Sequence, residues 1–480
     1  MPSRILVPVI VACALFMENM DATVLATSLP AIARDLHQDP IALKLALTSY
    51  LLSLAVFIPV SGWMADRFGA KTIFRVALGI FMLGSITCGF ANGLPDFVIS
   101  RIVQGIGGAM MTPVGRLVIL RSVPKSELVP ALAWFTIPAM IGPIMGPPLG
   151  GFITTYFSWR WIFFINIPIG LIGILLVTRF IADIRERETP PLDIRGFVLL
   201  GIGLSGLVFG LAVLGQTLVP VWIALCLVAV GVLFSWLYVL HAKRTLRPVL
   251  NLDLVKVPTF RASVFGGVAF RIGIGAMAFL LPLLFQVGFG LTAFASGLLT
   301  FVAAIGAFTM KFSAGPILQR LGFRGVLVAN AVLSSIFVAV CAFFTPSTPH
   351  ALIIGVLLVG GFFRSLQFTA INSLAYADIP PPLMSQATSF ASAGHQLALS
   401  IGVAVAALIL ESQQLLRGDG AIHISDFTAA FLIVSAIGAL SALIFATLPP
   451  EAGAELTGRA VALSEKLPNA DEREVPVPGE

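Results

Sequence analysis

Fourteen times along this chain, a run of about twenty mostly apolar residues passes before charges or turn residues close it. A helix rises 1.5 Å per residue, so about 20 residues cross the roughly 30 Å of a bilayer's hydrocarbon core. The runs fall at 5–30, 43–65, 73–91, 95–118, 129–155, 161–181, 196–215, 219–241, 262–285, 293–312, 324–344, 351–372, 386–411 and 426–448. In lipid each backbone N–H and C=O must find its partner inside its own segment, which makes such runs helices. Hydrophobic residues make up 58% of the 480 and charged residues 11%. Soluble domains carry about 45–50% and about 25%, so too little charge is present to cover a water-facing surface. A soluble enzyme, a disordered regulator and a secreted disulfide scaffold are all excluded. The expected class is an all-α, multi-pass membrane protein. Cys13, Cys88, Cys226 and Cys341 each stand inside an apolar run with no metal-ligand spacing, so neither a metal nor a disulfide is expected.

An even number of spans places both termini on one side. With the N-terminus in the cytoplasm, 21 of the 29 basic residues fall on cytoplasmic segments or the span ends beside them. Four, Arg34, Lys44, Arg160 and Arg417, fall outside. This matches the positive-inside rule and predicts a cytoplasmic-membrane protein with both termini cytoplasmic. The basic residues, including Arg185 and Arg187, are dispersed rather than striped, so the net charge of +6 points to no nucleic-acid partner. Trp63, Trp159, Trp161 and Trp222 lie near span ends, where interfacial anchors sit. Residues 451–480 carry seven acids and three basic residues with few large apolar ones, a composition that predicts a disordered tail.

The chain repeats itself. Gly62-Trp-Met-Ala-Asp66-Arg67-Phe-Gly69-Ala-Lys71 follows the second run, and Gly315-Pro-Ile-Leu-Gln319-Arg320-Leu-Gly322-Phe-Arg324 follows the tenth. Leu29-Pro30 and Leu281-Pro282 match at nearly the same offset. Two related six-span halves follow: 1–181, and 262–448 with a tail at 449–480. The segment 182–261, with spans seven and eight, is an insertion between them. Two facing halves are the architecture of a secondary transporter, with substrate near the midplane between them.

Charges inside spans are costly and mark function. Glu18 and Asp21, three residues apart, share one helix face. Their depths are about 20 Å and about 24 Å from the inner end of the first span, while Arg101 lies about 9 Å below the outer end of the fourth. Asp21 and Arg101 are therefore candidate partners at similar depth, either as a fixed ion pair or as a proton-coupling site with Glu18, in which Asp21 is the expected proton carrier and Glu18, nearer the midplane, the expected substrate contact. Two neighbouring acids in apolar surroundings favour binding a proton, and a cationic substrate would compete for the same charge. Arg271, Arg364, His395 and Gln396 are the polar side chains deep in the second half and are expected to line the substrate cavity with Glu18. Asp66 and Arg67, with Gly62, Lys71 and the turn glycine Gly69, can latch one conformation shut. Gln319 and Arg320 form the weaker second copy. Gly142, Gly146 and Gly150 recur every four residues and make a groove for close helix approach. Pro143, Pro147 and Pro148 bend that helix.

Several of these segments resemble one family. Gly62–Lys71 is similar to the loop signature of the major facilitator superfamily. Arg101-Ile-Val-Gln104-Gly105-Ile-Gly107-Gly108-Ala109 resembles its fourth-span motif, though Val98 stands where leucine is usual. Gly142-Pro143-Ile-Met-Gly146-Pro147-Pro-Leu-Gly150 resembles its antiporter motif. Asp21-Ala-Thr23-Val-Leu-Ala-Thr-Ser-Leu29-Pro30 and Trp159-Arg160-Trp161-Ile-Phe-Phe-Ile-Asn166 resemble the fourteen-span drug:proton antiporters of the EmrB/QacA-like group. Ala26, Ala70 and Glu18 depart from that group's pattern. The resemblance implies a major facilitator fold of two six-helix bundles plus an inserted helix pair. It also implies proton-coupled export of small lipophilic or cationic compounds by alternating access. Its partners would be a small-molecule substrate, protons and the lipid bilayer, with a periplasmic adaptor or outer-membrane channel left open. Export of a defined metabolite or lipid-like solute is the alternative, and a non-transporting receptor or scaffold a more distant one. No cofactor is expected: no Walker loop exists, and Gly201-Ile-Gly203-Leu-Ser-Gly206 lies within an apolar run with no strand before it.

Overall fold

The computed structural model describes residues 3–122, 128–182, 191–214, 220–380, 383–418 and 421–457. Arg185, Arg187 and the tail beyond Thr457 lie outside the described residues. All regular structure among those described is helical. The helices are α1 (Ser3–Asp35), α2 (Lys44–Phe68), α3 (Ala70–Gly89), α4 (Leu94–Ser122), α5 (Leu128–Tyr156), a single turn α6 (Trp161–Phe164) and α7 (Asn166–Phe180). They continue as α8 (Ile194–Val213), α9 (Val221–Ala242), α10 (Pro258–Leu283), α11 (Ala293–Cys341), α12 (His350–Leu374), α13 (Met384–Arg417) and α14 (Ile424–Ala446). Twelve stretches among the described residues are long and apolar enough to cross a membrane. One of them, α11, has 49 residues and is two helices joined at Gly322, where φ is 72° and ψ 163°. The chain folds back there, so that Gly306 of the first limb and Phe337 of the second both touch the 358–360 stretch of α12. Gly69, at φ 92°, joins α2 to α3 in the same way. Glycine is the residue that takes such angles without a steric cost, and both reversals fall on the repeated loop motif.

Span thirteen, expected to stop at 411, continues as α13 to Arg417, which places Glu411 inside a helix rather than at its end. Trp161 and Trp222 are exposed, but Trp159 is buried and its indole N–H donates to Asp35 at 3.0 Å. It packs edge-on against Phe97 and Phe163 and is a packing residue rather than an interfacial anchor.

Helix packing divides the chain into two bundles. In the first, α1 packs on α5, α2 on α4, and α3 on α4 and α7. In the second, α10 packs on α13 and α14, and α11 on α12 and α14. The inserted α8 and α9 pack on each other, and α8 rests on α2 and α13. The face carrying Ser3, Gly69 and Gly322 is here the proximal face. The opposite face carries Asp35, Lys44, Ala293 and Arg417 and is the distal face. Toward the distal face one buried apolar cluster runs through both bundles, joining Leu29, Ile32 and Leu47 to Leu281, Phe285 and Leu410. Toward the proximal face each bundle has its own core, around Phe74 and Phe81 in one and around Met310 and Phe323 in the other.

Close helix contacts depend on missing side chains. A Cβ on Gly107 would stand 2.5 Å from Phe81 N and 2.7 Å from Ala77 O of α3, whereas one on Gly79 would meet nothing within 4 Å. Overpacking costs about 1–3 kcal/mol. Gly107→Val is therefore expected to lower the unfolding temperature in detergent, and Gly79→Val to leave it within error of the parent. Thermal unfolding followed by size-exclusion chromatography checks the pair.

Candidate functional site

The first bundle holds a buried polar knot. Arg101 Nη1 of α4 lies 2.7 Å from Asp21 Oδ2 of α1, with side-chain exposures of 0% and 2%. The other carboxylate oxygen accepts from Gln104 Nε2 and Asn166 Nδ2, each at 2.9 Å. Gln104 and Asn166 also donate to Ser85 of α3, at 2.8 and 3.2 Å. Arg101 Nε donates to the Ala46 carbonyl at 3.4 Å, and its guanidinium lies 4.2 Å above the Tyr50 ring of α2. Five helices thus converge on one carboxylate. Gln104 sits three residues after Arg101, on the same face of α4, and Asn166 opens α7 directly after the short α6 turn.

Glu18, one turn from Asp21, is placed differently. It is 8% exposed and accepts a hydrogen bond from Thr112 Oγ1 of α4 at 3.0 Å. Among the described residues no cation lies within ion-pair distance of it.

The glycine groove of α5 seats α1, the helix that carries both acids. A Cβ on Gly142 would meet the Phe16 carbonyl at 2.9 Å, one on Gly150 the Val24 carbonyl at 2.7 Å, and one on Gly146 would strike Thr23. Pro143 and Pro147 lie in the same helix. The other side of α5 meets the second bundle: Pro147 O faces Gly297, Gly151 faces Ala293, and Thr155 Oγ1 accepts from Phe294 N at 3.0 Å. Helix α5 therefore connects the acid-bearing helix to α11.

A family model described as Major Facilitator Superfamily matches residues 11–260 and 263–470. The chain belongs to the major facilitator superfamily. It is 38% identical over 445 residues to a Pectobacterium atrosepticum protein named multidrug resistance protein MdtD, covering 92% of this chain and 95% of that one. The protein of the same name from Salmonella heidelberg is 37% identical over 446 residues, covering 92% and 94%. Among solved structures, a D-xylose-proton symporter superposes with a TM-score of 0.68 at 15% identity, covering 93% of this chain and 98% of that one. An auto-inhibited POT family peptide transporter gives 0.65 at 16%, covering 92% and 96%. At these identities the two structures show the fold alone. As a member of the superfamily the chain is a multi-pass integral membrane transporter.

The superfamily loop lies at the proximal face. Lys71 Nζ donates to the Thr178 carbonyl at 2.8 Å, tying α3 to α7. Arg67 is exposed, as are Gln319 and Arg320 of the second copy. A Cβ on Gly62 or on Gly315 would meet nothing within 4 Å, so neither glycine marks a close approach here.

In the second bundle Arg271 and His395 are brought together by Phe368. The Arg271 guanidinium is 5.7 Å from that ring's centre and the imidazole 5.5 Å. Arg271 Nη2 donates to Asn372 at 2.8 Å, while Arg271 Nε and His395 Nδ1 are buried without partners. Gln396 is half-buried on the same helix as His395. Arg364 is not part of this group: it lies in a separate cavity lined by α10, α11, α12 and α14.

One pair escaped the sequence. Lys44 Nζ of α2 lies 2.6 Å from Glu411 Oε2 of α13, with exposures of 0% and 9%. It joins the two bundles at the distal face. Both residues sit at the edges of their apolar runs, where charges ordinarily reach water, and no spacing rule connects positions 367 residues apart.

Removing one partner of a buried ion pair costs about 3–5 kcal/mol, because the other charge is stranded. Asp21→Asn is therefore expected to lower the unfolding temperature markedly, and Asp21→Asn with Arg101→Gln to recover much of the loss. Temperature-ramped intrinsic fluorescence reads both; a double variant as unstable as the single one would refute charge stranding as the cause.

Proposed function

We propose that this chain is a proton-coupled antiporter that exports small lipophilic or cationic compounds across the bacterial cytoplasmic membrane by alternating access. Fourteen spans, counting α5 and both limbs of α11, with both termini cytoplasmic, accord with the distribution of basic residues. The proximal face is then cytoplasmic and the distal face periplasmic. The bundles are residues 1–181 and 262–448, with 182–261 as the inserted pair and 449–480 as a cytoplasmic tail. The relatives' name, multidrug resistance protein, supports export of several small compounds.

The observation that carries the reading is the contrast between the two acids of α1. Protonating Asp21 would strand a wholly buried guanidinium and disturb two amide contacts. Protonating Glu18 strands nothing, since its contact is with a neutral hydroxyl. We therefore assign the exchanging proton to Glu18, with Asp21 and Arg101 holding α1 in position beside it. A cationic substrate and a proton compete for the Glu18 carboxylate, which gives antiport by mutual exclusion. Arg271, His395 and Gln396 form the facing wall. The Asp66–Arg67 loop latches the proximal face when it closes, and the second copy, with Gln319, holds more weakly. Glu18→Gln is expected to abolish proton-driven uptake of a fluorescent cation into inverted vesicles, by at least about ten-fold, while the protein still inserts and keeps its unfolding temperature. Full proton-driven transport by Glu18→Gln would refute the assignment.

The Lys44–Glu411 pair acts as the distal lock. A cysteine at Gly290, an exposed distal loop position at φ 67° where the backbone strain stays local and no atom lies within 4 Å of a Cβ, reports labelling of the outer surface in all states, whereas one at Leu47, buried in the distal seal, reports opening. Glu411→Gln leaves Lys44 without its counter-charge. It is expected to raise maleimide labelling at Leu47→Cys several-fold relative to Gly290→Cys. Unchanged labelling at Leu47→Cys would show that the apolar seal alone holds the face shut.

A further inference from the structure

The second bundle repeats positions that build the polar knot of the first, but not its acid. Leu29-Pro30 and Leu281-Pro282 set the offset between α1 and α10 at 252, which puts Gly273 where Asp21 stands. Gly69 and Gly322 set the offset between α3 and the second limb of α11 at 253, which puts Cys341 where Cys88 stands. Helices α4 and α12 both read R-x-x-Q, as Arg101…Gln104 and Arg364…Gln367. The packing repeats as well: α4 lies against α1 and α3, and α12 against α10 and α11. In the first bundle Cys88 Sγ approaches Gln104 Oε1 at 3.9 Å, and Arg101 grips Asp21.

In the second bundle the equivalent space is empty. Gly273, Cys341 and Arg364 line one partly open pocket, walled by apolar side chains that include Phe270, Met277 and Phe337. Among the described residues no carboxylate or hydrogen-bond acceptor reaches the Arg364 guanidinium. Ser334 also lines the cavity; it is 5% exposed and its hydroxyl has no hydrogen-bond partner. An arginine stays protonated in a protein, and a cation at membrane depth without an anion is costly. The first bundle meets this requirement with its own carboxylate. The second meets it with nothing of its own.

We propose that this cavity binds an amphiphilic anion, whose oxyanion head takes the place of the missing Asp21 carboxylate against Arg364 and Ser334. Its apolar body packs along Phe270, Met277 and Phe337. The site is separate from Glu18 and stands whether or not the chain exports cations. The head-and-tail chemistry is shared by acidic lipids of the bilayer and by dissolved amphiphilic acids.

The test is equilibrium binding to the full chain in nanodiscs of phosphatidylcholine, at a pH where fatty acids are ionised. The probe is the fluorescent fatty acid cis-parinarate, compared with its methyl ester. The acid is expected to bind saturably, at least about ten-fold tighter than the ester. Arg364→Gln is expected to weaken it about ten- to hundred-fold, the range for losing a charged hydrogen-bond partner, and Arg364→Lys to weaken it less. Gly273→Asp restores the acid in the chain itself. A Cβ there has room, with Val434 the nearest neighbour at 3.9 Å. This variant is expected to abolish acid binding and to raise the unfolding temperature, while Glu18→Gln leaves binding unchanged. Equal affinity for acid and ester in the parent protein, a comparison that needs no variant to fold, would overturn the proposal. So would parental acid binding by a folded Gly273→Asp. Displacement of bound probe when phosphatidylglycerol replaces part of the phosphatidylcholine assigns the natural ligand to the bilayer, and undiminished binding assigns it to dissolved acids.

Discussion

A charge inside a bilayer must be matched, and the match between Asp21 and Arg101 organises the first bundle. Neither side chain can reach water, so the pair depends on further polar contacts. Gln104 and Asn166 donate to the second carboxylate oxygen and are themselves anchored on Ser85, while Arg101 Nη2 has no hydrogen-bond partner among the described residues. Those residues stand on α4, α7 and α3, and Tyr50 on α2 supplies a ring face for the guanidinium. The polar knot thereby fixes the relative register of five helices that apolar packing alone would allow to slide, since lipid tails are as apolar as leucine. With α5 seated on α1 through its glycine face, the bundle can move as one body. That is the mechanical property an alternating-access mechanism needs from each half.

Much of this fold could be read before any coordinates. Run length identifies the crossing helices because the bilayer imposes a minimum length and the backbone imposes the helix. The repeated loop identified both reversals, since a glycine at Gly69 and at Gly322 is what a helix-to-helix turn without a linker requires. Asp21 and Arg101 were legible as partners because depth along a helix is simple arithmetic. Glu18 was legible as an acid in lipid, but not as one without a counter-charge. That distinction depends on which face of α4 presents Thr112 and which presents Arg101.

What escaped the sequence did so for a common reason. Lys44 and Glu411 lie at the ends of apolar runs, and a charge at such a place usually reaches the interface. Only the approach of α2 to α13 turns those ends inward. Trp159 was misread in the same way, because Asp35 and Phe97, remote in the chain, meet it and bury it. The Arg364 cavity was hidden by the opposite effect: the arginine was visible, but the absence that matters, a glycine at 273 where its repeat has an acid, acquires meaning only once α10, α11 and α12 are seen to repeat the packing of α1, α3 and α4.

Under the alternating access proposed above, the distal seal combines two interactions with different responses to opening. The apolar cluster from Leu29 to Leu410 loses stabilisation in proportion to the area exposed, and gains nothing in return from water. The Lys44–Glu411 pair gives up a strong local contact when the helices part, but both charges are then hydrated, so the open state recovers much of what it lost. Replacing the pair with two more apolar side chains would hold the face shut more tightly and make reopening costlier. A transporter needs its two faces to differ by only a few kcal/mol so that a proton or a substrate can tip the balance. A buried ion pair within an apolar seal supplies specificity in the closed state at little penalty to the open one. That accounts for an arrangement which, judged as a source of stability alone, would be a poor choice.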